Sequence, residues 1–433
     1  MSSKNLGLKE LLAIAIGGMV GGGIFTILGI SVSMIGYLAP YAIALGGVIA
    51  FLASYAYVKL ALYYRDEGAT YAFFKRTYPS SHLAASIIGY YTIFGYISTL
   101  ALYAYTFSSY TLSSFSSNEN IIVQKIIAIT IIWIFALINI WSTKGMGKIE
   151  DILVYTKIAI LAFISVVFIY FAPDESNYIS MISRDFHQSS TLSILIVASI
   201  TFVAYEGFQL VVNGVNEMKD PSINIPKAIY SAIILVSIIY FIIALSATMA
   251  IPLDDLIKNR EYALASGAYD ILGRWGKELV ILGAILATSS AISGTLFGAS
   301  RQISRIAEDN YMPNLLSKRA NNNIPIYAIL TMALLGSLLI LSGGLVVILE
   351  FGSITFLLVS LLMAIANFKI RKETNSSTII AIMAIIGLSI GAMFILYYEY
   401  TTQPMELIYI VSIYLILTII AYLYAYKNSK KRE

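Results

Sequence analysis

About twelve apolar segments, each of roughly 20 residues or more, run through this chain, and nothing else limits its fold so strongly. They lie at about 8–33, 38–63, 82–113, 122–141, 148–171, 190–215, 226–250, 276–305, 326–342, 345–367, 377–397 and 404–426. At 1.5 Å of rise per residue each is long enough for a ~30 Å hydrocarbon core. Composition agrees: 58% of residues are hydrophobic and 12% charged, where a soluble chain carries about 25% charge, and mean hydropathy is +0.80. The expectation is an all-α polytopic membrane protein with twelve transmembrane helices. The first segment is too long and too glycine-broken for a cleaved signal peptide, so it counts as a span.

Several functions are disfavoured by what the chain lacks. The net charge of +4 sits in loops between apolar runs, which argues against a nucleic-acid partner. The chain has no cysteine, hence no disulfide and no Cys-ligated metal. His82 and His187 are the only imidazoles and both lie outside the apolar runs, so neither a histidine metal centre nor a cofactor is expected. No His-based triad, HExxH or P-loop occurs, which argues against an enzyme and against an ATP-driven pump.

Lys and Arg set the orientation. With the N-terminus inside, 20 basic residues fall on one side and 6 on the other, while Lys59 and Lys157 lie within spans and complete the 28. Both termini are therefore expected in the cytoplasm. Segment lengths also repeat. A long stretch, 64–81, follows span 2 and precedes the long span 3; another, 251–275, follows span 7 and precedes long span 8. Because five is odd, a second five-span unit must enter the membrane from the opposite side. The chain thus divides into inverted repeats at 1–171 and 190–367, then helices 11 and 12 at 377–426 and a cytoplasmic tail at 427–433.

Span 1 contains Ile14-Ala-Ile-Gly-Gly-Met-Val-Gly-Gly-Gly-Ile-Phe25, with five glycines among the seven residues 17–23. Each lowers helix stability by about 1 kcal/mol relative to alanine. Close packing accounts for one face, through Gly17-xxx-Gly21 and Gly18-xxx-Gly22. Gly21, Gly22 and Gly23 point in three directions, however, and a break in the helix accounts for all three. Symmetry then requires an interruption in span 6, where Thr201-Phe-Val-Ala-Tyr-Glu-Gly-Phe-Gln-Leu210 places Glu206 and Gly207 near mid-membrane. A lone structural Glu bonded to a neighbouring helix is the other reading of Glu206, and a second titrating group a third.

Two broken helices at one depth suit a small zwitterion. Amides of Gly21, Gly22, Gly23 and Ile24 are candidates to hold a carboxylate, aided by the positive end of the outer half-helix. Carbonyls of Phe202, Ala204 and Tyr205 are candidates to hold an ammonium, with the Phe202 and Tyr205 rings as covers or simple packing. Lys157 lies ten residues beyond Gly147, about 15 Å into its span. That is too deep for easy snorkelling. Its flanking sequence has no acidic partner within one turn, and desolvation disfavours a charged ammonium, which suits proton exchange near neutral pH. A permanently charged lysine bonded to loop carbonyls is the competing reading. Thr288, Ser289 and Ser290 cluster in span 8, where hydroxyls usually bond their own backbone.

Val20-Gly-Gly-Gly-Ile-Phe25 resembles the G-S-G-[IV]-F signature in the first helix of the amino acid–polyamine–organocation (APC) superfamily. Glu217-Met-Lys-Asp-Pro-Ser-Ile-Asn-Ile-Pro-Lys-Ala-Ile229 is similar to that family's segment between helices 6 and 7. Ala299-Ser-Arg-Gln-Ile-Ser-Arg, Asp309-Asn-Tyr-Met-Pro313 and Ile324-Pro325 resemble its segment after helix 8. There are two departures: Gly22 replaces the signature serine, and Glu67-Gly-Ala-Thr-Tyr71 lacks the usual proline or second glycine. The resemblance implies a fold like that of the bacterial leucine transporter, with helices 1 and 6 discontinuous and a bundle of helices 1, 2, 6 and 7 moving against a scaffold. It implies an amino acid substrate. It also implies that Lys157 takes the place of a sodium ion between helices 1 and 8, with Gly18 and Ser289 among its surroundings.

The expected function is a proton-coupled amino acid symporter of the cell membrane working by alternating access, broad in specificity or suited to small neutral amino acids. The alternatives are an amino acid exchanger of the same fold and, from another class, a channel or amino acid sensor. No regular polar stripe marks a channel pore in these spans. The expected partners are the amino acid, the proton and the bilayer.

Overall fold

The structure is a computed structural model that describes residues 6–66, 68–115, 120–141, 146–172, 175–320 and 323–430. Glu67, the first residue of the departing segment, and the last three residues of the tail lie outside the described residues. All regular structure among the described residues is helical, apart from a single bridge between Leu6 and Met218.

Span 1 is two helices, α1 (Leu8–Met19) and α2 (Gly23–Ile35), and span 2 is α3 (Ala39–Tyr64). The long stretch after span 2 folds into the short α4 (Ala69–Thr77) before α5 (His82–Phe115), α6 (Ile121–Trp141) and α7 (Met146–Phe171), which form spans 3 to 5. After α8 (Glu175–Gln188), span 6 begins as α9 (Thr191–Thr201) and continues as a 3₁₀ stretch, Phe202–Glu217. Span 7 is α10 (Pro221–Ala250). The second long stretch holds α11 (Leu253–Lys258) and the start of α12 (Ala263–Glu308), the helix of span 8. At Gly273, φ is +67° and the helix bends, so residues 263–272 form a separate arm ahead of the membrane portion. Then follow α13 (Ile326–Ser342), α14 (Leu345–Lys369), α15 (Thr378–Thr402) and α16 (Pro404–Lys430), spans 9 to 12.

Ten helical stretches among the described residues are long and apolar enough to cross a membrane. One of them, Gly23–Tyr64, contains α2 and α3 in succession, and Ile326–Ser342 is a shorter apolar helix. Counted as passes, these make the twelve that the sequence predicts. Enclosure varies along them: 83% of the apolar window of span 6 is buried against 17% for α16. The interrupted segments thus sit at the centre of the array, and the appended helices form its rim. Among the central packings, the 3₁₀ stretch lies on α1, α10 on α3 and α7, and α12 on α5 and α7. Spans 5 and 8 are therefore neighbours, which the sequence could not establish.

Lys59, one of the two lysines inside a span, extends its Nζ to the Asn375 carbonyl at 2.7 Å and so reaches the loop between α14 and α15. On the same side, α4 is tied to the segment after α12: Lys75 pairs with Asp309 at 2.8 Å and the Tyr71 hydroxyl donates to the same carboxylate at 2.9 Å. Lys157 remains the lysine within the core.

Candidate functional site

The glycine run of span 1 both breaks the helix and packs it. α1 ends at Met19, Val20 leaves helical geometry with ψ at 63°, and α2 starts from Gly22. None of Gly21, Gly22 and Gly23 has a positive φ. Glycine is needed for close approach at all three positions. An added Cβ would lie 2.8 Å from Ala291 Cβ at Gly21, 3.0 Å from Thr288 Cγ2 at Gly22 and 2.8 Å from Ala204 Cβ at Gly23. Gly21 and Gly22 both pack against α12 and Tyr103 of α5, and Gly23 packs against the 3₁₀ stretch, so a single packing face does not account for the run. One expected donor is engaged, because the Gly21 amide donates to the Met19 carbonyl at 2.8 Å. The first amides of α2 have no acceptor within their own helix.

Span 6 is also interrupted, though four or five residues before Glu206–Gly207. The α-helix stops at Thr201 and the chain tightens into 3₁₀ geometry. Such geometry gives poorer hydrogen bonds than an α-helix and rarely persists beyond a few residues. Gly207 crosses Gly18 backbone to backbone, and nothing larger than glycine fits at that crossing.

A residue that sequence reasoning missed joins the two breaks. Tyr240, on α10, donates its hydroxyl to the Met19 carbonyl at 2.6 Å, with the Ala204 carbonyl at 3.3 Å. Its ring lies 5.2 Å from that of Tyr205, whose hydroxyl donates to the Ile43 carbonyl at 2.8 Å. With 32 tyrosines in the chain, no sequence signal singled it out. On α5, the Tyr110 hydroxyl donates to the Phe25 carbonyl at 2.9 Å and Thr106 bonds Thr26 at 2.5 Å, so the first turn of α2 is braced as well.

Lys157 is fully buried, and its Nζ donates to the Gly17 carbonyl at 2.9 Å. Gly17 can take this position because it lacks a side chain: a Cβ there would be 2.8 Å from Val154 on the lysine's own helix. The lysine therefore grips α1 one turn before the break. Thr288 bonds its own backbone at Ala284, 2.7 Å away. Ser289 is half-buried, and Ser290 is buried with no partner for its hydroxyl among the described residues.

A cavity lies beside this contact, lined by Gly17 and Gly18 from α1, Tyr96, Thr99 and Tyr103 from α5, Glu206, Gly207 and Leu210 from the 3₁₀ stretch, and Ser290, Ala291, Gly294 and Thr295 from α12. Glu206 is the one charged residue in that lining. It is 3% exposed, and neither of its oxygens accepts a hydrogen bond from the described residues. Of the residues chosen from sequence, Gly18 and Glu206 line the cavity. Gly21, Gly22, Gly23, Ile24, Phe202, Ala204, Tyr205, Lys157 and Ser289 do not. Phe202, Tyr205 and Ile24 are fully buried, and Gly23 is closed against Ala204. The cavity is displaced from the break towards α1, whose Gly17 and Gly18 line it, and no residue of α2 does. Towards the other side α2 is covered: a Cβ on Gly29 would lie 2.0 Å from the Arg260 carbonyl oxygen, and neighbouring Glu261 accepts from Gln124 at 2.6 Å.

A family profile described as amino acid permease matches residues 6–430. The chain belongs to the amino acid permease family. This agrees with the APC-like motifs, and the family is one of transporters and not of enzymes. Among curated proteins, the inner membrane transport protein YbaT of Escherichia coli is 28% identical over 97% of this chain and 96% of its own length. An uncharacterized protein of Methanocaldococcus jannaschii is 27% identical over 93% of this chain and 91% of its own. The branched-chain amino acid permease BcaP of Bacillus subtilis is 24% identical over 73% and 69%.

Proposed function

We propose that this amino acid permease is a proton-coupled symporter working by alternating access, and that Lys157 is its coupling residue. The observation that carries this reading is the 2.9 Å hydrogen bond from a fully buried Lys157 Nζ to the Gly17 carbonyl. A charged ammonium holds α1 through a charge-assisted bond. The neutral amine holds it less strongly, so losing the proton frees α1 to move. For protonation to drive the cycle it must differ in free energy between the two states, by about 1.4 kcal/mol for each pKa unit.

In this reading the chain is two inverted five-helix repeats, 1–171 and 190–367, with helices 11 and 12 at 377–426 at the rim. It lies in the cell membrane with both termini cytoplasmic, so the cavity occupies the cytoplasmic half. Amino acid binds when α2 and the 3₁₀ stretch part at the Gly23–Ala204 contact. The amides of Gly22, Gly23 and Ile24 then take the carboxylate, joined by Gly21 if it releases Met19, and the carbonyls of Phe202, Ala204 and Tyr205 take the ammonium. Gly18 and Ser289 flank the coupling lysine. Glu206, a carboxylate in the cavity wall without a hydrogen-bond donor, is the second titrating group. A site built mainly from backbone suits small neutral amino acids or a broad range.

The test is uptake of labelled amino acids into vesicles with and without an inward proton gradient, for wild type and Lys157→Ala. Gradient-driven accumulation that persists in Lys157→Ala would remove the lysine from the mechanism. Uptake that ignores the gradient and follows internal amino acid would make the protein an exchanger.

A further inference from the structure

Away from the central cavity, where α14, α15 and α16 meet, three carboxylates converge. Glu350 lies in the second turn of α14, Glu399 in the last turn of α15 and Glu406 in the first turn of α16, so all three gather at one end of these helices. One oxygen from each lies within 4.8 Å of the other two. Glu350 is 1% exposed and Glu399 0%; none of their four carboxylate oxygens has an N–H or hydroxyl donor among the described residues, and the two carboxyls lie within hydrogen-bonding reach of each other. No ion pair among the described residues reaches any of the three. Glu406 is half-buried. With the Gln403 amide turned so that its nitrogen faces the carboxylate, Gln403 donates to Glu406 Oε1 at 2.8 Å and steadies it.

Buried carboxylates without donors are unfavourable as free anions, and a cation shared between them removes that penalty. Calcium binds oxygens at about 2.3–2.6 Å, so ligands on opposite sides of one ion stand about 5 Å apart. The observed spread fits that sphere. Magnesium needs a tighter octahedron at about 2.0–2.1 Å, with several waters retained. A monovalent ion would leave two of three negative charges uncompensated.

We propose that Glu350, Glu399 and Glu406 form a binding site for one divalent cation of the calcium class, reached past the half-buried Glu406, which ties α14, α15 and α16 together. The site is separate from the transport cavity and does not depend on the coupling role of Lys157.

Terbium luminescence tests this on the full chain in detergent. Tyr398 precedes Glu399 on α15 and serves as the sensitiser. Wild type is expected to give a saturable signal on tyrosine excitation, displaced by calcium and not by sodium at equal ionic strength. Glu406→Gln, at the half-buried position where folding is least disturbed, should weaken calcium binding about tenfold or more. The pair Glu350→Gln with Glu399→Gln should abolish it. No saturable signal in wild type, or a calcium affinity unchanged in Glu406→Gln and in the pair, overturns the proposal. So does a wild type whose melting temperature rises on acidification and ignores calcium, because the carboxyls would then be sharing protons.

Discussion

Gly207 and Gly18 meet backbone to backbone: a Cβ on Gly207 would lie 2.1 Å from the Gly18 carbonyl carbon and 2.3 Å from the Met19 nitrogen. The interrupted spans are thus held at a separation that only glycine permits. Gly207→Ala must push α1 away from the 3₁₀ stretch, and overpacking of this kind destabilises by about 1–3 kcal/mol. The expected outcome is a lower melting temperature in detergent and little or no uptake. Gly298→Ala is the control, since the nearest atom to its Cβ, Leu210 Cδ2, is 3.7 Å away. It should melt at or slightly above the wild-type temperature, because alanine favours the helix.

Lys157→Arg separates charge from proton release. A guanidinium retains donors for the Gly17 carbonyl but does not deprotonate in a protein. The variant is expected to bind amino acid, measured by calorimetry or scintillation proximity, yet fail to accumulate it under a proton gradient. Wild-type accumulation in Lys157→Arg would mean that the coupled proton travels elsewhere.

Tyr240→Phe removes the hydroxyl shared by the Met19 and Ala204 carbonyls. The Met19 carbonyl keeps the Gly21 amide as a donor, so the loss is that of an ordinary hydrogen bond, about 0.5–1.5 kcal/mol. Because the contact spans both interruptions, the loss should appear in the maximal rate of uptake as well as in thermal stability. A variant with unchanged transport and a lower melting temperature would confine Tyr240 to a structural role.

Gly22→Ser restores the serine of the family signature into a position already filled. The new Cβ would lie 3.0 Å from Thr288 Cγ2, 3.1 Å from Tyr103 and 3.2 Å from Thr106. Thr288→Ser removes that methyl and keeps the hydroxyl bonded to the Ala284 carbonyl. Gly22→Ser alone should reduce uptake, and the double variant should recover part of it. Equal uptake by the two would show that Thr288 is not the obstacle.

The twelve passes, the interruption of span 1 and the depth of Lys157 were legible in the sequence because each depends on local chain properties. Apolar length sets a helix against the thickness of a bilayer, a cluster of glycines weakens one segment, and ten residues of helix measure a depth. The place where α9 gives way to 3₁₀ geometry was less legible. Glu206-Gly207 looked like the weak point, but the α-helix ends at Thr201, ahead of the residues packed against Gly23 and Gly18.

Partnership across the array could not be read at all. Gly17 as the acceptor for Lys157, Tyr240 bridging two interruptions, Ala204 closing on Gly23 and the gathering of Glu350, Glu399 and Glu406 each join residues from different spans. Apolar periodicity says that a helix is buried without saying against what, because lipid and neighbouring helices reward the same side chains. The sequence by itself determined that this chain must cross the membrane as helices, one of them broken at its glycines. Only the tertiary structure decided which carbonyl the buried lysine holds and where the cavity lies, because those depend on backbone approaches of about 3 Å between segments far apart in the chain.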